Sequence, residues 1–111
     1  MELIHWSDFE KIEMRVGTIL EAQEFTNARK PSYQLKIDFG SFGIKKSSAQ
    51  ITKHYSIGEL IGKQVIAIVN FPPKQIANFF SECLVMGVYD ENNDVVLLAP
   101  ERKTPNGSKI G

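Results

Sequence analysis

Tyr33-Gln34-Leu35-Lys36-Ile37-Asp38-Phe39 is the stretch that decides the fold, because apolar and polar residues alternate through all seven positions. Successive side chains of a β-strand point to opposite faces of a sheet. The alternation therefore predicts a half-buried strand whose four apolar side chains, from Tyr33 to Phe39, lie in the core. Gly40 follows at once and predicts a turn.

Similar strand signals recur on both sides of this stretch. Ile12–Glu21 alternates at its start, and Gly17 within it predicts a bulge or a bend. Gln64–Phe71 is rich in Val and Ile and predicts a buried strand, which Pro72-Pro73 ends because proline cannot donate to a sheet ladder. Further strands are predicted over Ile44–Ile51, Leu84–Tyr89 and Val95–Leu98.

Helix is a minor part of the prediction. Ser7 and Glu10 have capping-box spacing, which predicts a helical turn over residues 8–11, and Gln75–Phe79 is a second short candidate. At least five short strands in 111 residues indicate a small all-β barrel or sandwich, and a barrel has the advantage of hiding its sheet edges. The length suits one domain over residues 1–111.

Composition limits the class of protein. The chain is 42% hydrophobic and 23% charged, which is ordinary for a globular domain. No window has the ~18 uncharged apolar residues of a membrane helix, and the first residues lack the basic segment and cleavage site of a secretory signal. We therefore expect a cytoplasmic protein with no membrane insertion.

Sequence patterns of catalytic and metal centres are missing. The only histidines, His5 and His54, lie on different predicted elements without metal-ligand spacing. The single cysteine, Cys83, lies in an apolar run and predicts a buried thiol, since a reactive thiolate needs an electropositive setting. We expect no enzymatic activity, no metal and no cofactor.

Charge is distributed unevenly along this neutral chain. Residues 27–74 carry eight Lys or Arg against two Asp or Glu, a net charge of +6, whereas residues 1–26 carry −4 and residues 75–111 carry −2. Such an asymmetry predicts one positive face on a neutral protein, or else a mixed surface whose charges segregate only in sequence.

Candidate ligand-binding residues cluster in this basic region. Lys45-Lys46-Ser47-Ser48-Ala49-Gln50 places two cations and three hydrogen-bonding side chains on one predicted strand. Cations neutralise phosphate, while Ser and Gln bond phosphate, sugar or base edges. Phe42 and either Phe79 or Phe80 are candidate stacking rings for an unpaired base, with core filling as the alternative. We expect these cations to meet on one concave side: Arg29, Lys30, Lys45, Lys46, Lys53 and Lys74.

Four separate segments carry a family resemblance. They are Phe9–Ile19, Gly62–Lys74, Ser81–Met86, and Val95–Pro100 with Pro105–Gly107. In this order they resemble the motifs of the tRNA-binding domain family, which includes the C-terminal domain of bacterial methionyl-tRNA synthetases and free-standing tRNA-binding proteins. The resemblance implies a five-stranded oligonucleotide-binding (OB) barrel, a homodimer and tRNA as the partner.

One branch of that family, a group of export-related chaperones, is similar at Lys45–Lys53, Asn70–Ala77 and Pro105–Gly111. This similarity implies a chaperone role with unfolded precursor proteins during secretion. It leaves a second hypothesis open, in which an apolar cleft binds extended peptides and RNA binding is secondary.

The resemblance also implies three RNA contacts. Asn27 matches a loop asparagine of the family, Ser81 matches the serine that opens a late strand, and Leu84 stands where the family has methionine. The full set of predicted RNA-binding residues is Asn27, Arg29, Lys30, Lys45, Lys46, Ser47, Ser48, Gln50, Lys53, Lys74, Ser81 and Leu84.

Overall fold

The computed structural model describes residues 1–111, and short strands dominate it. The strands are β1 (Met14–Glu24), β2 (Tyr33–Asp38), β3 (Ile44–Ala49), β4 (Gln64–Ile68), β5 (Lys74–Ile76), β6 (Phe79–Ser81), β7 (Leu84–Val85), β8 (Gly87–Tyr89) and β9 (Val95–Leu97). Two short α-helices, α1 (Trp6–Glu10) and α2 (Ile57–Leu60), and a 3-10 turn at Gly40–Phe42 complete the fold. None of the helices has the length and hydropathy required to span a membrane.

Five strands form one antiparallel sheet in the order β3-β2-β1-β4-β7, and the sheet curls into a nearly closed barrel. Its two ends meet where the chain passes from β6 to β7. There the Glu82 N–H donates to the Lys46 carbonyl at 2.8 Å, and the Lys46 N–H donates to Glu82 Oε1 at 2.9 Å. These bonds replace a regular ladder between β3 and β7. The small all-β barrel of the OB type is confirmed.

Strand β2 behaves as its alternation predicts. Tyr33, Leu35 and Ile37 are buried within β2, and Phe39 is buried just after it. Together with residues of β1, β3 and β4 they form a single apolar cluster inside the barrel. Burying large apolar side chains of this kind contributes ~1.5–3 kcal/mol each, so β2 supplies much of what stabilises the barrel.

Of the two alternatives predicted at Gly17, a bulge or a bend, the bulge is not found there. The pairing of β1 with β2 shifts register between Ile19 and Glu21 instead. Gly17 packs tightly against the core, since a Cβ atom there would lie 2.6 Å from a ring carbon of Phe39. The glycine is needed because the Phe39 ring occupies the space of a side chain.

The predicted N-terminal helical turn is present in the structure, but its bounds and its capping residues differ from the prediction. It spans Trp6–Glu10, and the His5 N–H donates to Asp8 Oδ2 at 2.9 Å. The expected capping pair of Ser7 and Glu10 is therefore replaced by a pair two residues earlier in the chain. The same three-residue spacing occurs at both places, so spacing alone did not distinguish them.

Gln75–Phe79 is not helical. β5 and β6 form a hairpin in which Lys74 pairs with Ser81 and Ile76 pairs with Phe79. Ala77 takes the left-handed conformation at the turn, with φ of 54°. This hairpin lies beside the edge of β3 and leaves a concave surface between the two.

Two predicted strands are also shorter than expected. β4 ends at Ile68 rather than Phe71, and Asn70 and Phe71, just before Pro72-Pro73, are exposed. Leu84–Tyr89 divides into β7, which pairs with β4, and β8, which pairs with β9 in a separate hairpin.

Candidate nucleic-acid interface

Three adjoining hollows open along the edge of β3, and Ser48 and Gln50 line all three. One of about 990 Å³ lies between the loop after β1 and the β5–β6 hairpin. A second of about 520 Å³ lies between that hairpin and β7, and a third of about 480 Å³ reaches the β8–β9 hairpin. We call these three hollows together the β3 groove.

Nine of the twelve predicted RNA-binding residues line the β3 groove. They are Asn27, Arg29, Lys30, Ser48, Gln50, Lys53, Lys74, Ser81 and Leu84. The set includes four cations, drawn from the loop after β1, the segment after β3 and the start of β5. Asp94, on the rim at the β8–β9 hairpin, is the only acidic residue that lines the groove. The groove is therefore a positive concavity on a neutral protein.

Lys45, Lys46 and Ser47 do not line the groove, so their predicted placement there is corrected. Ser47 is 1% exposed, and its Oγ donates to the Cys83 carbonyl at 3.0 Å. Lys46 Nζ lies 5.3 Å from the centroid of the Phe79 ring. Alternation along β3 explains Lys45 and Ser47, which face the opposite side of the strand from Ser48 and Gln50. Lys46 faces the same side as Ser48 but lines a separate hollow with Gln34 and Phe79.

Ser81 and Ser48 differ in how freely they can meet a ligand. The Ser48 N–H donates to Ser81 Oγ at 3.1 Å, and Ser81 Oγ donates to the Cys83 carbonyl at 3.4 Å. The Ser81 hydroxyl thus helps to close the barrel at the floor of the groove. The hydroxyl of Ser48 and the amide of Gln50 form no hydrogen bond within the chain, so both are available to a ligand.

None of the predicted stacking rings lies in the groove. Phe42 is exposed, but the Arg15 guanidinium carbon lies 4.3 Å from its ring centroid. Phe79 is buried and meets Phe25 edge to face at 5.3 Å. Phe80 is exposed on the β5–β6 hairpin but does not line the groove.

Two other aromatic rings line the groove: Tyr89, which is 75% exposed, and Phe71, which is 53% exposed. Sequence reasoning missed Phe71 by extending β4 to that residue. The signal was nonetheless present, because a residue before proline is restricted and Pro72-Pro73 interrupts sheet pairing.

Cys83 lies in the wall of the 520-Å³ hollow but is only 5% exposed, and we expect its thiol to be unreactive. Burial raises the pKa of its thiol to about 12, with smaller opposing contributions from a hydrogen bond with Ser47 and the charge of Lys45. Because the thiolate is the nucleophilic form, the side chain acts as a small apolar filler of the barrel.

A histidine and two carboxylates meet at the rim of the groove, where Asp94 lines it. His54 Nε2 lies 2.7 Å from Asp90 Oδ2, and Asp94 brings its carboxylate within 4.8 Å of both. The hydrogen bond from His54 lowers the pKa of Asp90, and the backbone N–H groups of Asp94 and Asn92 add to the effect. These are the residues with donor atoms close enough to hold a metal ion, but the mutual hydrogen bonds already account for their arrangement.

The amino-acid sequence matches a known protein family over the whole barrel. Residues 14–109 match the model of the family described as "Putative tRNA binding domain". The chain belongs to this tRNA-binding domain family. The match spans the barrel from the first residue of β1 to the segment after β9, and so includes every wall of the β3 groove.

Solved structures and curated relatives agree with this assignment. The chaperone CsaA of Bacillus anthracis superposes with a TM-score of 0.94 at 51% identity, covering 99% of this chain and all of that one. The CsaA chaperone of Picrophilus torridus gives 0.91 at 54% identity, covering 98% of this chain and all of that one. The methionine–tRNA ligase of Methanococcus aeolicus is 39% identical over 110 residues, which are 99% of this chain but 16% of the enzyme.

Proposed function

We propose that this chain is a non-catalytic, cytoplasmic tRNA-binding protein, one domain over residues 1–111, with the β3 groove as its RNA-binding surface. The observation that carries the proposal is the meeting of four cations with the free side chains of Ser48 and Gln50 in one concavity. Membership of the tRNA-binding domain family supplies the class of ligand.

The groove suits an RNA backbone for physical reasons. Arg29, Lys30, Lys53 and Lys74 neutralise phosphates along its length, and the planar guanidinium of Arg29 can bond two phosphate oxygens at once. Phosphate contacts of this kind position the RNA without reading its sequence. The groove therefore recognises the path of a folded RNA backbone more than its base sequence.

A salt titration of tRNA binding tests this function. Each neutralised phosphate releases counterions and contributes ~0.7–0.9 to the slope of log K against log salt concentration. Four contacts predict a slope of roughly −3 to −4 in filter binding. An affinity that stays flat from low to high salt contradicts the electrostatic mechanism.

We also propose that two copies associate. Leu3, Ile4 and Trp6 are 91%, 68% and 67% exposed, and α1 buries none of its residues. A contiguous patch of exposed apolar side chains is typical of a protein–protein interface, and a second copy of the chain would bury this one. Two grooves on one dimer raise the affinity for a tRNA that spans both. Light scattering measures the state of association, and Trp6→Glu should shift it to the monomer.

A peptide-binding chaperone is the second candidate function. Its support is the apolar part of the groove, lined by Phe71, Ile76 and Leu84, and the similarity to two CsaA chaperones over the whole chain. An extended segment of an unfolded precursor protein would lie along the edge of β3. Its affinity should survive high salt, so competition between tRNA and an unfolded polypeptide at two salt concentrations separates the candidates.

A further inference from the structure

The 520-Å³ hollow of the β3 groove lies beside the larger basic hollow and has the Phe71 ring in its wall, and we call it the Phe71 pocket. Phe71, Ile76 and Leu84 give it an apolar lining, and Phe71 and Leu84 are 53% and 50% exposed. An exposed aromatic ring and an exposed aliphatic side chain thus lie next to the cations of the 990-Å³ hollow. A ligand for this pocket needs a flat apolar face.

The polar groups at the edge of the pocket add a second requirement. Gln50 lines the pocket and carries an amide that both donates and accepts hydrogen bonds. This amide forms no hydrogen bond within the chain. A nucleobase presents donors and acceptors side by side along its pairing edge, which an amide can match. The Ser48 hydroxyl lies on the same edge of β3 and can bond a sugar or a base.

The cations nearby supply a third requirement. Lys74 lines both the Phe71 pocket and the larger hollow, in which it joins Arg29 and Lys30. Phosphates held in the larger hollow would therefore stand directly beside the pocket. This charge complementarity favours a nucleotide over an extended peptide as the occupant.

We infer that the Phe71 pocket takes the base of an unpaired nucleotide, an inference that rests on the RNA-binding function proposed above. The base stacks on Phe71, contacts Leu84 and offers its pairing edge to Gln50. A base within a duplex cannot enter, because its faces are stacked and its pairing edge is occupied. The preferred ligand is therefore a folded RNA with an unpaired stretch rather than a continuous duplex.

Competition binding on the full chain tests this inference. Labelled tRNA is displaced by a single-stranded RNA of about twelve nucleotides or by the same strand annealed to its complement. Phe71→Ala should weaken binding of the single strand about tenfold, the expected loss for one stacked base, and leave the salt slope unchanged. Phe80→Ala is the matched control, because Phe80 is an exposed phenylalanine on the neighbouring hairpin outside the groove.

The outcomes separate this inference from the proposed function. Salt-dependent tRNA binding together with equal competition by duplex and single strand overturns the pocket assignment and leaves the RNA function standing. Equal affinity of Phe71→Ala and Phe80→Ala for the single strand overturns it as well. If Phe71→Ala weakens only an unfolded polypeptide, the occupant is a peptide. Absence of any RNA binding removes both proposals.

Discussion

Ser47 and Ser48 are neighbours in β3, yet one belongs to the core and the other to the β3 groove. Ser47 Oγ bonds the Cys83 carbonyl inside the barrel, while Ser48 lines all three hollows outside it. The pleat of the strand imposes this division, because consecutive side chains leave the backbone in opposite directions. The same rule turns Lys45 away from the groove and keeps Gln50 within it, whereas Lys46 shares the face of Ser48 but lies over the Phe79 ring outside the groove.

Replacing each serine by alanine should separate stability from binding. Ser47→Ala loses a buried hydrogen bond, so the free energy of unfolding should fall by ~1–2 kcal/mol while RNA affinity is retained. Ser48→Ala should weaken RNA binding several-fold with little effect on stability. Urea unfolding and filter binding on both variants measure the two quantities, and a reversed pattern contradicts the assigned faces.

Gly17→Ala should destabilise the barrel by ~1–3 kcal/mol, because the new Cβ would overlap the Phe39 ring in a packed core. Gly58→Ala is the control. A Cβ at Gly58 meets no atom within 4 Å, and alanine favours the helix in which it lies. Urea midpoints of the two variants give the comparison, and equal midpoints would show that Phe39 can move aside.

Cys83 should resist thiol reagents in the folded protein. With its pKa raised to about 12 by burial, almost no thiolate is present at pH 8. We expect a chromogenic disulfide reagent to react only as fast as the barrel opens, and to react at once in denaturant. Rapid labelling of the native chain at pH 8 would mean that Cys83 is accessible.

Asp90 should make the free energy of unfolding depend on pH in the acidic range. Its pKa is lowered from 3.8 by the hydrogen bond with His54 and by two backbone N–H groups. A carboxyl group with a depressed folded pKa stabilises the fold at a pH above its unfolded pKa, and the contribution is lost as the pH falls through the folded pKa. Asp90→Asn should therefore lower stability at pH 6 and flatten the loss of stability below about pH 4. Urea unfolding between pH 6 and pH 3 measures this, and an unchanged profile would show that Asp90 takes no part.

The barrel was predictable from sequence because its strongest strand is half-buried. β2 alternates without interruption, and each apolar position is found in the core. Short segments were harder, since Gln75–Phe79 has no periodicity long enough to distinguish a helical turn from a hairpin. In the structure, Ala77 adopts a left-handed conformation at the turn of the hairpin. Alanine rarely takes this conformation, so the sequence contains no signal for the turn.

For the β3 groove, the sequence predicted the clustering of several cations. It did not predict which side of a strand each side chain faces. Arg29, Lys30 and Lys74 are distant in sequence, yet the loop after β1 and the β5–β6 hairpin converge on β3 and bring them together. Ser47 was misplaced because its run of polar neighbours concealed an inward position. Phe71 was missed because its apolar character suggested burial, whereas the paired prolines after it end the sheet.

We expect the groove cations, and not the total charge of the protein, to bind RNA. A triple alanine variant at Arg29, Lys30 and Lys74 removes three groove cations. A control variant at Lys11, Lys63 and Lys103 removes three cations that do not line the groove.

The slope of log K against log salt concentration for tRNA binding compares the two variants directly. We expect the groove variant to lose roughly 2–3 from the magnitude of the slope, while the control retains nearly all of it. Equal slopes for both variants would contradict binding through the groove cations, because binding would then follow net charge alone.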